Sequence, residues 1–213
     1  MPEKYNVKDV RKVQIGGVGF NDFIMVLFND GNLYAIGENC QAGQIADRSS
    51  AKTFVRITRD VRNVFCGGYH SSILKNDGKL YSLGFNNDGR CGVGKTQNQV
   101  RKPKEVPRMQ HKVAMASNGC FGTLLTNDGK VYVAGGYIGN YRQVKGTQNK
   151  FIKKIVAGLY QFIALDSDGK LYTSTRDYCE DDTLVEYTKL ADKHVVDIGL
   201  AGGNSYAVMV FEK

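Results

Sequence analysis

The sequence predicts an all-β fold built from repeated four-stranded units, and three observations support this prediction. A hairpin phrase centred on Asp-Gly recurs four times, a short apolar segment ending in small residues precedes every copy, and long stretches with the 3.6-residue period of an amphipathic helix are absent. The chain of 213 residues also contains 25 glycines but only 3 prolines, and the glycines are spread along it as a series of tight turns requires.

The hairpin phrase is Asn or Ser, Asp, Gly, a polar residue, an apolar residue and Tyr, and it recurs at intervals of about 40 to 50 residues. Asp-Gly between two apolar runs is the strongest short hairpin signal, and it predicts a type I′ turn with positive φ at both central residues. The four predicted turns are centred on Asp30 and Gly31, Asp77 and Gly78, Asp128 and Gly129, and Asp168 and Gly169.

The apolar segment before each hairpin predicts a first strand that ends in a crowded place, because small residues allow backbones to approach closely. Its copies lie at residues 13–17, 64–68, 113–117 and 155–158, and a fifth copy lies at 196–203. The fifth copy leads into another apolar run at 206–211, and no fifth Asp-Gly turn follows it.

Units of this size cannot bury both faces of a sheet alone, so neighbouring units must stack, and radial stacking of small antiparallel sheets gives a β-propeller. We therefore expect a single propeller domain over residues 1–213, with about four four-stranded blades and an incomplete or open ring. Because a half blade leaves an open sheet edge, we expect a partner chain or self-association to cover it. The expected repeats span roughly 10–60, 61–110, 111–152 and 153–193, with a half repeat at 194–213.

The second copy of the unit is the most complete. It reads Gly-Gly-Tyr-His-Ser-Ser at 67–72, Asp-Gly-Lys-Leu-Tyr at 77–81 and Gly-Phe-Asn-Asn-Asp-Gly-Arg-Cys-Gly at 84–92. This pattern resembles the regulator of chromosome condensation repeat, and the resemblance extends from about residue 10 to residue 211. It implies a propeller fold, a structural role for His70 and, from the founding member, guanine-nucleotide exchange on a Ran-like small GTPase.

The sequence departs from that family in ways that bear on activity. The family's repeat usually carries a Trp before its glycine, and Ile36, Leu83, Ala134 and Ser174 stand there instead. The founding members close seven blades, whereas this chain supplies about four and a half. The acidic and His residues that serve exchange in the founding member have no matched positions here, so the resemblance favours the fold over the activity.

The sequence predicts no catalytic, cofactor-binding or metal-binding residue. Asp166, Ser167 and Asp168 resemble the start of a calcium loop, but the remaining ligands are missing and the hairpin accounts for them. Cys91 lies in a glycine-rich turn and is expected to be a small buried residue. The five cysteines form no metal-binding spacing and are Cys40, Cys66, Cys91, Cys120 and Cys179.

Charge and cysteine usage suggest the surroundings of the protein. The net charge of +8 and the pI near 9.2 favour an acidic partner. An odd, scattered set of cysteines favours a reducing compartment, and neither an N-terminal apolar leader nor an apolar run of membrane-spanning length is present. We therefore expect an intracellular protein, cytoplasmic or nuclear and not secreted, without a membrane span.

Two basic segments are the candidate partner-binding surface, and each is expected to be a loop between repeats. The leading hypothesis is a non-catalytic interaction or scaffold module that docks an acidic protein. The alternatives are nucleotide exchange on a Ran-like small GTPase and docking on chromatin or another acidic polymer. The candidate residues are Arg101, Lys102, Lys104 and Arg108 in the first segment, and Arg142, Lys145, Lys150, Lys153 and Lys154 in the second.

Overall fold

The computed structural model shows four four-stranded antiparallel sheets followed by a two-stranded hairpin. It confirms the predicted all-β, propeller-type architecture. In every four-stranded sheet the strands are neighbours in chain order, so each sheet is a simple meander. The structure describes residues 2–17, 22–37, 51–95, 97–110, 112–118, 121–136, 138–158, 161–174, 183–200 and 206–210.

The first two sheets each contain four strands of five to eight residues. The first sheet consists of β1 (Val10–Gly16), β2 (Phe23–Phe28), β3 (Leu33–Gly37) and β4 (Ala51–Thr58). The second sheet consists of β5 (Val61–Cys66), β6 (His70–Lys75), β7 (Leu80–Phe85) and β8 (Gln99–Glu105). A short 3-10 helix, Val7–Asp9, precedes β1.

The later sheets have shorter outer strands. The third sheet consists of β9 (Val113–Asn118), β10 (Gly122–Thr126), β11 (Val131–Gly135) and β12 (Ile138–Gln143). The fourth consists of β13 (Ile152–Ala157), β14 (Phe162–Asp166), β15 (Leu171–Ser174) and β16 (Leu184–Glu186). After a second 3-10 helix, Thr188–Leu190, the hairpin is formed by β17 (Val195–Leu200) and β18 (Tyr206–Val210).

The apolar core lies between consecutive sheets. Met25 and Leu27 of the first sheet share one buried cluster with Val64 and Ile73 of the second. Similar clusters join the third sheet to the fourth and the fourth to the last hairpin. Each sheet thus makes its main contacts with its neighbours in the chain, and the described residues do not close a ring.

The strand that begins each sheet lies innermost, where consecutive sheets converge. β1, β5, β9, β13 and β17 contact one another in sequence. A Cβ atom added to Gly16, at the end of β1, would lie 2.7 Å from the carbonyl oxygen of Gly67. The predicted crowding at the ends of the first strands is therefore present, and a larger residue at Gly16 would clash with the next sheet.

The Asp-Gly hairpins have a different turn from the predicted type I′. In the first hairpin, the N–H of Gly31 donates to the carbonyl of Phe28 at 3.0 Å, and the N–H of Phe28 donates to the carbonyl of Asn32 at 3.0 Å. Only the glycine has positive φ, because the described non-glycine residues with positive φ are Asp60 and Arg108 alone. The preceding Asn makes this a three-residue loop, a type I turn closed by a glycine bulge.

The glycine of this turn also joins consecutive sheets. The carbonyl of Gly31 accepts the N–H of Val61, the first residue of β5, at 3.0 Å. Gly129 accepts from Ile152 at 3.1 Å in the same way, and the fourth turn repeats the bond to Val195. In three of the four turns the Asp-Gly phrase therefore both reverses the chain and bonds to the first residue of the next sheet.

Within the described residues, no helix is long and apolar enough to cross a membrane.

Candidate interaction surface

The first basic segment lies on an edge strand and not in a loop as predicted. Arg101, Lys102 and Lys104 are exposed residues of β8, the outermost strand of the second sheet. The segment forms a strand because its ends pair with β7, where Gly84 lies opposite Val100 and Ser82 lies opposite Lys104.

An irregularity in this pairing gives β8 its shape. Three residues of β8, 101–103, oppose the single residue Leu83 of β7. A bulge of this kind bends the strand and turns side chains away from the regular ladder. Pro103, which has no N–H to donate, fits in the bulged stretch. Residues 97–104 line an open groove of about 720 Å³ beside it.

The connection into β8 is held by one buried side chain. The amide of Asn86 donates to the carbonyls of Gly94 and Gln97 at 2.8 and 2.9 Å, and its oxygen accepts the N–H of Cys91 at 3.0 Å. Asn86 is 1% exposed. Because one side chain satisfies three backbone groups, it fixes the path of the chain from β7 to β8.

The charges on β8 are not neutralised locally. No carboxylate within the described residues forms an ion pair with Arg101, Lys102 or Lys104. The neighbouring Glu105 instead pairs with Lys79 at 3.0 Å. The strand therefore presents three cations to solvent.

Arg108 lies beyond the end of β8, in the connection to the third sheet. Its φ is +65°, a left-handed conformation. With Lys112, Tyr132 and Tyr141 it lines a pocket of about 410 Å³. This places Arg108 apart from the groove along β8, and the two sites share no lining residue.

The second basic segment is divided among different parts of the fold. Arg142 lies on the outer strand β12, opposite Val133, while Lys145 and Lys150 are exposed in the connection that follows. Lys153 and Lys154 lie on the inner strand β13. Four residues of the two segments are thus on outer strands, three are in connections and two are on an inner strand, and the prediction of two loops is wrong.

Lys154 has an intramolecular role. Its ammonium donates to Asp197 of β17 at 2.5 Å, and so joins the fourth sheet to the last hairpin. The hydrogen bond from Lys154 lowers the pKa of the Asp197 carboxyl below its usual value. Lys12 of β1 makes an equivalent contact across the first two sheets, donating to Asn63 at 2.7 Å. Lys154 and Asp197 are 43 residues apart, so their spacing in the sequence does not predict that they pair.

Two arginines that the sequence analysis passed over lie on the inner strands. Arg11 and Arg62 are the second residues of β1 and β5, and both line one pocket of about 260 Å³. Lys153 has the same position in β13. Aligning the first strands of the repeats would have revealed that a cation recurs there.

The remaining candidate residues lie in buried surroundings that indicate structural roles. His70 is fully buried at the start of β6, as expected of a framework residue. Cys91 is also buried, and burial raises the pKa of its thiol to about 12. Cys40, Cys120 and Cys179 lie outside the described residues.

Asp166, considered above as a calcium ligand, is occupied by its own hairpin. One carboxylate oxygen accepts the N–H groups of Asp168 and Lys170 at 3.0 and 2.8 Å. The other accepts the hydroxyl of Tyr172 at 3.0 Å. Asp166 is fully buried, so these bonds assign it to holding the turn.

The comparisons with known proteins agree with this architecture. Profiles of the regulator of chromosome condensation (RCC1) repeat match residues 77–125 and 61–90. The mouse E3 ubiquitin-protein ligase HERC2 is 28% identical over 64% of this chain and 3% of its own length. The Regulator of chromosome condensation of Xenopus laevis is 28% identical over 56% of this chain and 32% of its own.

Among solved structures, Prp20p from Saccharomyces cerevisiae has a TM-score of 0.79 at 20% identity, over 99% of this chain and 57% of that protein. The similarity in fold to Prp20p covers nearly the whole length of this chain. The chain spans little more than half of that structure and a third or less of the two curated relatives. The repeat profiles match residues 61–125, and together with the relatives and the sheet topology they show that this chain contains regulator of chromosome condensation repeats.

Proposed function

We propose that this chain is a protein-interaction module that binds a partner with an acidic surface through strand β8. The observation that carries this proposal is the row of three exposed cations on one edge strand, which no described carboxylate neutralises. Complementary charge across an interface accelerates encounter and selects the partner. The groove of about 720 Å³ along the strand gives the partner a concave surface to enter.

The partner binds β8 through side chains and not by adding a strand. An added strand would need a regular row of free backbone donors and acceptors at the sheet edge. Pro103 removes one donor, and residues 101–103 are displaced from the regular ladder. Exposed cations and proline are also what protects an edge strand from unwanted pairing. Recognition therefore depends on the charges of Arg101, Lys102 and Lys104.

Charge reversal on β8 tests this proposal. Arg101→Glu, Lys102→Glu and Lys104→Glu are combined in one variant, and proteins captured from cell extract by this variant and by wild type are quantified. Recovery of the specific partner should fall by about tenfold or more, since like charges now face each other. Unchanged recovery would reject β8 as the docking surface.

A matched control has the same change in net charge at a distance from β8. Lys8→Glu, Lys150→Glu and Lys189→Glu replace three exposed cations in the segments before β1, before β13 and after β16. This control should capture the partner as wild type does. If both variants lose the partner equally, overall charge and not the β8 surface determines binding, and binding to an acidic polymer becomes the better explanation.

A second candidate function is guanine-nucleotide exchange on a Ran-like small GTPase. It is favoured by the structural likeness to Prp20p, whose structure was described together with its binding to Gsp1p and histones. The test is release of a fluorescent guanine nucleotide from the GTPase with micromolar amounts of this protein. Acceleration over the intrinsic rate would support exchange, and an unchanged rate would reject it.

A further inference from the structure

The start of every inner strand has the same irregularity. In β1, β5, β9, β13 and β17, one residue is inserted between the first two paired positions, so it has no partner on the neighbouring strand. Such an extra residue redirects a side chain out of the sheet. The inserted residues are Arg11, Arg62, Ala114, Lys153 and Val196.

The first three of these residues surround one pocket. Arg11, Arg62 and Ala114 come from three consecutive sheets, and with Asn63 and Asn127 they line a cavity of about 260 Å³. The alanine leaves room where three of its equivalents, Arg11, Arg62 and Lys153, have long side chains. The cavity corresponds to roughly nine water molecules at their share of liquid volume, which is room for one charged group and a few waters but not for a folded element.

Four of the described lining residues, Arg11, Arg62, Asn63 and Asn127, carry hydrogen-bond donors, and none of the described ones carries a carboxylate. Arg11 and Arg62 are exposed and form no ion pair within the described part of the chain. The oxygen of Asn63 already accepts from the Lys12 ammonium at 2.7 Å and from the Val64 N–H at 2.9 Å. Its NH₂ group is therefore the part of the side chain that can serve a ligand.

We propose that this pocket binds an oxyanion on a peptide side chain, either a carboxylate or a phosphate. Two guanidinium groups and an amide NH₂ match the acceptors of such a group, and guanidinium binds both oxyanions in a bidentate manner. The pocket lies on the inner strands and shares no lining residue with the β8 groove. Its occupation is therefore independent of the interaction proposed for β8.

Fluorescence polarisation with short labelled peptides tests the pocket. Three peptides of one length carry a central glutamate, phosphoserine or glutamine in an otherwise neutral sequence. The glutamate or the phosphoserine peptide should bind, the tighter of the two identifying the oxyanion, and the glutamine peptide should not. Binding of all three alike, or of none, would overturn the proposal.

Substitutions locate the binding. The pair Arg11→Gln and Arg62→Gln should weaken the preferred peptide by about tenfold or more, because it removes both charged donors. Ala114→Leu should also weaken it by filling the cavity while leaving every charge in place. The control pair Arg56→Gln and Lys189→Gln removes two exposed cations elsewhere and should bind as wild type does.

Two further measurements distinguish binding in this pocket from binding elsewhere on the surface. In a ¹⁵N-labelled protein, the preferred peptide should shift the Asn63 side-chain amide signals, whereas diffuse surface attraction would not select them. The β8 triple reversal should retain the peptide. If the control pair loses as much affinity as the arginine pair, or if Ala114→Leu has no effect, the pocket is not the binding site.

Discussion

The inner and outer strands of the sheets both have irregular pairing, but they use it differently. On the inner strands, one inserted residue recurs in all five sheets at the same position. On the outer strands, a three-residue irregularity opposes Ile36, Leu83 and Ala134 in the first three sheets, and the fourth sheet lacks it. The inner edge is thus constant and the outer edge varies.

The difference separates the contacts that join the sheets from the outer surface that we propose binds the partner. Three inner strands, β5, β13 and β17, are bonded to the preceding sheet. The first residue of the strand donates to the carbonyl of a turn glycine, and the Lys154–Asp197 pair adds a side-chain contact. On the outer edge, β8 has cations without ion-pair partners in the described residues and a wide groove. We expect substitutions at the bonds between sheets and in the connections to lower stability, and substitutions on the β8 surface to lower partner binding alone.

The largest expected effect is at the glycine that is the penultimate residue of β7. Gly84 has φ +117°, and a Cβ there would lie 2.6 Å from the Cα of His70 and 2.6 Å from the carbonyl oxygen of Tyr69. Gly84→Ala should lower the free energy of unfolding by about 4 kcal/mol, because strain adds to a backbone clash. Chemical denaturation measures it.

Gly94→Ala is the control for Gly84→Ala. Gly94 also has positive φ, at +88°, but nothing lies within 4 Å of the added Cβ. Only the strain of the left-handed conformation remains, so the loss should be about 1 kcal/mol. Equal losses for the two variants would mean that the clash at Gly84 is relieved and that β7 does not require a glycine there.

The next effect concerns the connection that positions β8. Asn86→Ala leaves two carbonyls and one N–H without their side-chain partner, and the free energy of unfolding should fall by about 3 kcal/mol. Asn87→Ala, at the exposed neighbour, should change it by less than about 0.5 kcal/mol. A loss for Asn86→Ala no larger than that for Asn87→Ala would contradict the assigned role.

A smaller effect is expected at the link to the last hairpin. Since Lys154 lowers the pKa of Asp197, the link stabilises the fold above the usual carboxyl pKa, and this contribution is lost as pH falls through the lowered value. The protection factors of the β17 amides, which correct for the slower intrinsic exchange at low pH, should therefore fall on acidification more in wild type than in Lys154→Met. An equal pH response in both proteins would show that the pair does not hold the hairpin.

The sequence was sufficient for the fold because its main signals are local. The Asp-Gly phrase located the turn between the two middle strands of all four four-stranded sheets, since its glycine has the positive φ that this turn requires. The turn type was wrong because the preceding Asn or Ser belongs to the loop, as the bonds around Gly31 show. The family resemblance predicted the propeller-type fold correctly. The repeat profiles confirm the resemblance itself.

The candidate site was harder to predict because it depends on pairing over distance. Lys102 and Lys104 were expected in a loop because they lie between two copies of the repeat phrase, but they pair with β7 as the fourth strand of the second sheet. Lys154 was expected to face a partner and instead pairs with Asp197, 43 residues away. Neither pairing leaves a signal in the local sequence.

The smallest expected effect on stability is that of the β8 triple charge reversal, whose residues are exposed and form no ion pair with the residues that the structure describes. Its free energy of unfolding should remain within about 0.5 kcal/mol of wild type, although it loses the partner. Chemical denaturation of this variant beside the Lys8, Lys150 and Lys189 control measures the difference. A much larger loss would mean that β8 serves the fold and that its loss of partner reflects unfolding.

Hydrogen exchange of the protein with and without its captured partner tests the central claim most directly, because it maps contact without substitution. We predict slower exchange across residues 97–105, around β8, and unchanged exchange in the inner strands β5 and β13. Protection elsewhere in the protein, with residues 97–105 unchanged, would contradict the assignment of recognition to this outer strand.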